Sequence, residues 1–136
     1  MKPLFADTFY WIALLNRREA WYGRVITLSR TLATRQLLTT EWVLAEFLAF
    51  YSAGGAVTRQ RAAAKTRQIL DDPSVSVLSP SQALFLDGLA LYESRPDKGY
   101  SLTDCLSMHV MRREGLTDIL TNDHHFTQEG FHILFP

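Results

Sequence analysis

Five short apolar runs mark the chain: PLFA at 3–6, QLLT at 36–39, SVSVL at 74–78, DILT at 118–121 and FHILF at 131–135. Longer segments with apolar residues at helical spacing separate the first four. A parallel pair of strands needs a long crossover, and a helix supplies it. The alternation therefore predicts an α/β fold with a mostly parallel five-stranded sheet. Helices are expected over 8–16, 21–33, 40–53, 58–71, 79–94 and 101–114. Gly54-Gly55 ends the third, Asp72-Pro73 the fourth, and Gly115 lies just past the last. Ser79-Pro80-Ser81-Gln82 reads as the start of the fifth, with Ser79 as N-cap, Pro80 at the first helical position and Gln82 closing a capping box.

The 136 residues, 47% of them hydrophobic, suffice for one domain spanning 1–136 with a sizeable core. Lys and Arg number 14 against 14 Asp and Glu, so net charge points to no partner class, and local patches have to decide. The one cysteine, Cys105, excludes an intrachain disulfide and a cysteine-rich metal site. A reducing cytoplasm is the expected compartment. No run reaches the ~18 apolar residues of a membrane span, and the N-terminus does not read as a signal peptide.

Parallel strands share one carboxyl edge, where ligands bind. Asp7 follows the first strand and Asp123 the fourth. Asp104 lies in the first turn of a helix that returns to that edge, and Glu46 in the second turn of a helix that leaves it. Four carboxylates from four separated segments thus map to one rim. Asp118 precedes its strand and maps to the opposite edge. Glu46 has Trp42, Val43, Ala49 and Phe50 as helical neighbours, none of them basic, so no local ion pair neutralises it. Clustered carboxylates repel one another, and a divalent cation removes the conflict. Oxygen donors favour Mg²⁺ or Mn²⁺, which activate water and stabilise charge on a phosphoryl group.

Each acid also has a plainer reading. Asp7 suits the N-cap of the following helix, Asp123 suits the cap of a short turn around HHF, and Ser101-x-x-Asp104 resembles a variant capping box. Only the convergence sets them apart. Adjacent side chains diverge, so His124 and His125 are expected to pack or hydrogen-bond rather than share an ion. Arg59, Arg61, Lys65 and Arg67 read as a solvated face, Trp11, Trp42, Phe47 and Phe50 as core, and Cys105 as structural.

Together FADTFYWIALL around Asp7, TEWVLAEFLAF around Glu46, YSLTDCLSMHVMRREG around Asp104 and ILTNDHHFTQEGFHIL around Asp123 resemble a PIN domain of the VapC-like toxin type. The resemblance implies a three-layer α/β/α sandwich and a Mg²⁺- or Mn²⁺-dependent endoribonuclease that leaves a 5′-phosphate and a 3′-hydroxyl. It assigns the acidic quartet to Asp7, Glu46, Asp104 and Asp123 and a supporting hydroxyl to Thr121. It implies an RNA substrate, transfer or ribosomal, a cognate antitoxin and a homodimer. The chain departs from the family at Phe9, where a small polar residue is usual. The alternatives are a free-standing RNA- or partner-binding module and a phosphatase of the haloacid dehalogenase type. The phosphatase needs a second aspartate where Phe9 stands. A receiver domain needs a lysine near the last strands, but Lys98, the only lysine after position 65, falls in a loop.

Overall fold

The computed structural model describes residues 1–136. Five strands, β1 (Leu4–Ala6), β2 (Leu37–Thr40), β3 (Val75–Leu78), β4 (Asp118–Leu120) and β5 (His132–Ile133), form one sheet in the order β3-β2-β1-β4-β5. Every pair is parallel, so the expected sheet is parallel throughout. Seven helices accompany it: α1 (Thr8–Leu15), α2 (Tyr22–Thr31), α3 (Glu41–Phe50), α4 (Ala56–Asp71), α5 (Gln82–Ser94), α6 (Leu102–Arg113) and α7 (His124–Gln128). The architecture is α/β/α.

β1 lies in the middle of the sheet and all three of its residues are buried, which explains its unbroken apolar composition. The core collects Phe5, Phe47, Met108, Met111, Ile119 and Phe126, all fully buried. At Gly88 a side chain would sit 2.4 Å from Leu106 Cδ2 and 3.2 Å from its Cα, so α5 approaches α6 closely only because that residue lacks one. This packing holds the helix that carries Asp104.

Three local expectations need correction. Helix α5 is capped by Ser81, whose hydroxyl accepts from Leu84 N–H at 3.1 Å, and not by Ser79. Pro80 then precedes the cap instead of opening the helix, and Gln82 falls too early to close a capping box. Second, α4 starts at Ala56, because Gly55 takes φ 91° and turns the chain directly into the helix. Third, Phe50 is not core. It ends α3 and is 59% exposed.

The short turn expected after Asp123 is a helix, α7. His124–Gln128 has too few residues to show a periodicity. Asp123 starts it, accepting from His125 N–H at 2.9 Å, and buried Phe126 anchors it.

Candidate active site

The sheet order decides which acids can meet. β1 runs between β2 and β4, so its carboxyl end lies between theirs. Asp7 follows β1 directly and its N–H donates to Leu120 O of β4 at 3.3 Å. Its side chain makes no helix-cap hydrogen bond, although Asp7 occupies the N-cap position of α1. Oδ2 instead accepts from the buried hydroxyl of Thr121 at 2.8 Å. The same Thr121 oxygen accepts from Asp123 N–H at 3.2 Å. One hydroxyl thus positions two acids that are 116 positions apart in sequence.

Asp7 is 6% exposed. Burial pushes its carboxyl up to about 7, and repulsion from Asp104 and Glu46 adds to the rise. The Thr121 hydroxyl and the Thr8 N–H oppose it.

Glu46 comes from α3, whose start is fixed by Thr40 accepting from Val43 N–H at 3.1 Å. Its Oε1 accepts a hydrogen bond from the Thr8 hydroxyl. The residue after Asp7 therefore holds Glu46 toward Asp7. No basic side chain pairs with Glu46, as its helical neighbours predict.

Asp104 completes the capping box and also lines the cavity with the other three acids. The capping box is complete: Asp104 N–H donates to Ser101 Oγ at 3.0 Å, and Ser101 N–H donates to Asp104 Oδ2 at 3.1 Å. The box fixes the side chain while Oδ1 keeps its lone pairs free. Burial raises this carboxyl above its usual range, and Asp123 and Glu46 add repulsion. Asp123 is likewise both the cap of α7 and a neighbour of Asp104.

The four acids line one open cavity of about 350 Å³ together with Thr8 and Thr121. Asp118 sits at the far edge, 3.2 Å from His132 Nδ1.

Sequence reasoning missed three contributors. His125 Nδ1 stands 3.4 Å from Asp123 Oδ1 and 3.9 Å from Asp104 Oδ2. This nitrogen is buried and has no hydrogen-bond partner. His124 and His125 do diverge, but that divergence turns one of them inward. Glu19, in the turn after α1, brings a fifth carboxylate to the cavity wall. It lies in no periodic segment, so nothing in the sequence marks it. Phe50 supplies an exposed aromatic rim.

Phe9 also lines the cavity. Its ring packs on Trp21 and Phe135, with centroids 5.7 and 5.6 Å away. A hydrophobic wall thus replaces the small polar residue, and the neighbouring Thr8 provides the hydroxyl.

The donor set suits a hard divalent cation. Carboxylate oxygens dominate it, and one imidazole nitrogen lacks any other partner. Ligand atoms of Asp104, Asp123 and His125 all lie within 4.8 Å of one another. A cation with bonds of about 2.1 Å places its donors about 3 to 4 Å apart, so small side-chain adjustments suffice.

The family model described as PIN domain matches residues 4–131. None of the curated proteins matches the chain. Among solved structures, the crystal structure of Mycobacterium tuberculosis VapC20, described as a sarcin-ricin loop cleaving toxin, is similar with a TM-score of 0.81. Its identity is 24%, and the match covers 95% of this chain and 96% of that one. That likeness independently supports the fold.

Proposed function

The chain belongs to the PIN domain family of metal-dependent ribonucleases, and on that premise we propose that Asp7, Glu46, Asp104 and Asp123 form its catalytic quartet. The observation that carries the reading is their convergence. Acids from four separated segments reach one cavity, and no arginine or lysine neutralises them there.

Asp7, Asp104 and Asp123 would hold Mg²⁺ or Mn²⁺, directly or through water, and Glu46 completes the charge. When bound, the cation supplies an acidified water and stabilises charge on the phosphoryl oxygens. The protein's own part is orientation and proton transfer. Thr121 holds Asp7 in place, and the Ser101 box holds Asp104. Thr8 fixes one oxygen of Glu46. The other oxygen is left to orient the attacking water and take its proton. Phe9 gives the cavity an apolar wall.

His125 Nδ1 refines the choice of metal. An imidazole nitrogen beside carboxylates favours Mn²⁺ over Mg²⁺. The description of the similar VapC20 supports a toxin role and an RNA substrate, with ribosomal or transfer RNA as the target. A cognate antitoxin, a homodimer and a cytoplasmic setting belong to the same proposal. No helix is long and apolar enough to cross a membrane. No observation favours the free-standing binding module. The phosphatase alternative fails at Phe9, which packs against aromatic rings instead of offering a second acid.

Calorimetric titration with Mn²⁺ tests the quartet. Asp104→Asn preserves the capping box through its amide oxygen and is expected to weaken Mn²⁺ binding by about tenfold or more. Unchanged binding would remove Asp104 from the site. His125→Ala is expected to lower Mn²⁺ affinity several-fold while Mg²⁺ affinity changes little. Electron spin-echo spectra of the Mn²⁺-loaded wild type should show nitrogen coupling that the variant lacks. A wild-type spectrum without that coupling would reduce His125 to a packing residue.

A further inference from the structure

Beside the acidic cavity lies a hollow of opposite charge. It measures about 450 Å³ and is lined by Arg17 and Arg18 after α1, by Tyr51 after α3, and by Thr58 and Arg61 on α4. All three arginines are exposed. None of them takes part in an ion pair, whereas Arg95, Arg112 and Arg113 all do. Three guanidiniums therefore face one hollow with no carboxylate of this chain bonded to them.

The two hollows share a wall. The Tyr51 hydroxyl, on the basic side, donates to Ile12 O at 3.3 Å, and Ile12 lines the acidic cavity. Arg18 is followed immediately by Glu19, which lines the acidic cavity. Phe50 lines the acidic side and precedes Tyr51 on the basic side. Its ring meets that of Tyr51 edge-on at 5.0 Å. An exposed aromatic ring thus stands on the ridge between them.

An RNA strand carries one negative charge per nucleotide, and a cavity of carboxylates repels it. A bound cation compensates only the phosphate it touches. The chain has 14 positive and 14 negative side chains, so no net charge steers RNA inward. A basic channel beside an exposed aromatic ring is how proteins hold single strands.

We propose that Arg17, Arg18 and Arg61 form a phosphate subsite that seats the RNA strand next to the scissile bond, with Phe50 stacking on a base between subsite and acids. The proposal rests on the ribonuclease reading. Continuity with the acidic cavity and the exposed ring favour nucleic acid over an acidic protein segment.

The test uses the full chain carrying Asp104→Asn, so that binding is read without cleavage. A labelled single-stranded oligoribonucleotide is titrated at salt concentrations from 50 to 200 mM. Each single Arg→Gln change at 17, 18 or 61 should lower the salt slope by up to about 0.7, the value for one phosphate contact on a single strand. The triple Gln variant should lower it by about 2 and weaken binding at low salt at least about tenfold. The triple Lys variant should restore most of the slope. Phe50→Leu should weaken binding about tenfold and leave the slope unchanged. Arg30→Gln, on α2, serves as the control and should change neither.

In the otherwise wild-type chain, the triple Gln variant should retain Mn²⁺ affinity and the melting temperature. An unchanged salt slope in the triple Gln variant, with Mn²⁺ binding and cleavage intact in the wild type, overturns the subsite alone. A triple variant that keeps its RNA slope but loses capture of poly-glutamate also overturns it, and makes the hollow a protein-docking site. Failure of the wild type to bind Mn²⁺ or cleave RNA strikes the ribonuclease reading and takes the subsite with it.

Discussion

Asp7→Asn protein is expected to fold, to cleave RNA about 10³-fold more slowly or worse, and to be more stable than the wild type in metal-free buffer at pH 8. The loss follows from removing one charge of a site that acts as a unit. The gain follows from the position of Asp7. Its carboxyl is raised from 3.8 to about 7 by burial and by its acidic neighbours. Between those values the folded protein holds a proton that the unfolded chain has released. Unfolding stability therefore falls as pH rises through this window, by up to about 4 kcal/mol if the whole shift is expressed. Below pH 4 the wild type suffers no such loss.

The amide cannot ionise, and its oxygen can still accept from Thr121. Thermal melts with chelator at pH 4 and pH 8 check this, because the advantage of the variant should vanish at the lower pH. Added Mn²⁺ should raise the wild-type midpoint at pH 8 and leave Asp7→Asn nearly unmoved. A variant less stable than the wild type at pH 8 without metal would contradict the burial and repulsion described for Asp7.

Glu129→Ala should unfold about 2 to 3 kcal/mol more easily, a fall in melting temperature of the order of 10 °C. The Glu129 side chain is 6% exposed and gathers four charged or hydroxyl contacts. Arg95 reaches both its oxygens, at 3.0 and 3.3 Å. Arg112 donates at 2.9 Å and Tyr100 at 2.9 Å. Burial alone would raise this carboxyl, but these donors hold it down at about 2. Its contribution is thus present above the unfolded value near 4.5 and is lost as pH falls toward 2. The arginines are 37% and 44% exposed, so water recovers part of what they lose, and the cost stays below that of a sealed ion pair.

The effect reaches the acidic cavity as well. The ring of Tyr100 meets that of His125 at 5.2 Å, and Ser101, the cap of α6, follows Tyr100. Cleavage by Glu129→Ala should therefore fall even at temperatures where it remains folded. A variant with an unchanged melt and unchanged rate would show that the cluster is decoration.

The acids were legible in the sequence because topology is. Once short apolar runs alternate with helices, strand ends and helix starts share an edge, and Asp7, Asp104, Asp123 and Glu46 follow. Asp104 shows the limit of such reasoning. A capping box and a place on the acidic rim look like competing explanations in sequence, yet one carboxylate has two oxygens and Asp104 shows both. Glu19 lay hidden because turns carry no periodicity. His125 lay hidden because α7 is a single turn and a half, and only its capping by Asp123 decides which histidine points inward. Phe50 was misplaced because an apolar residue at the end of a buried helix looks like core until the chain turns away.

The pairing of Phe5 with Ile119 has a consequence for how this protein is made. A ribosome delivers the first of these strands long before it has translated the second. A half-synthesised chain displays Asp7 and Glu46 but lacks Asp104, Asp123 and the hydroxyl that steadies them. The acidic cavity stays unassembled while the chain is incomplete. The pocket that gathers the acids therefore closes only after the segment carrying Thr121 and Asp123 has left the ribosome.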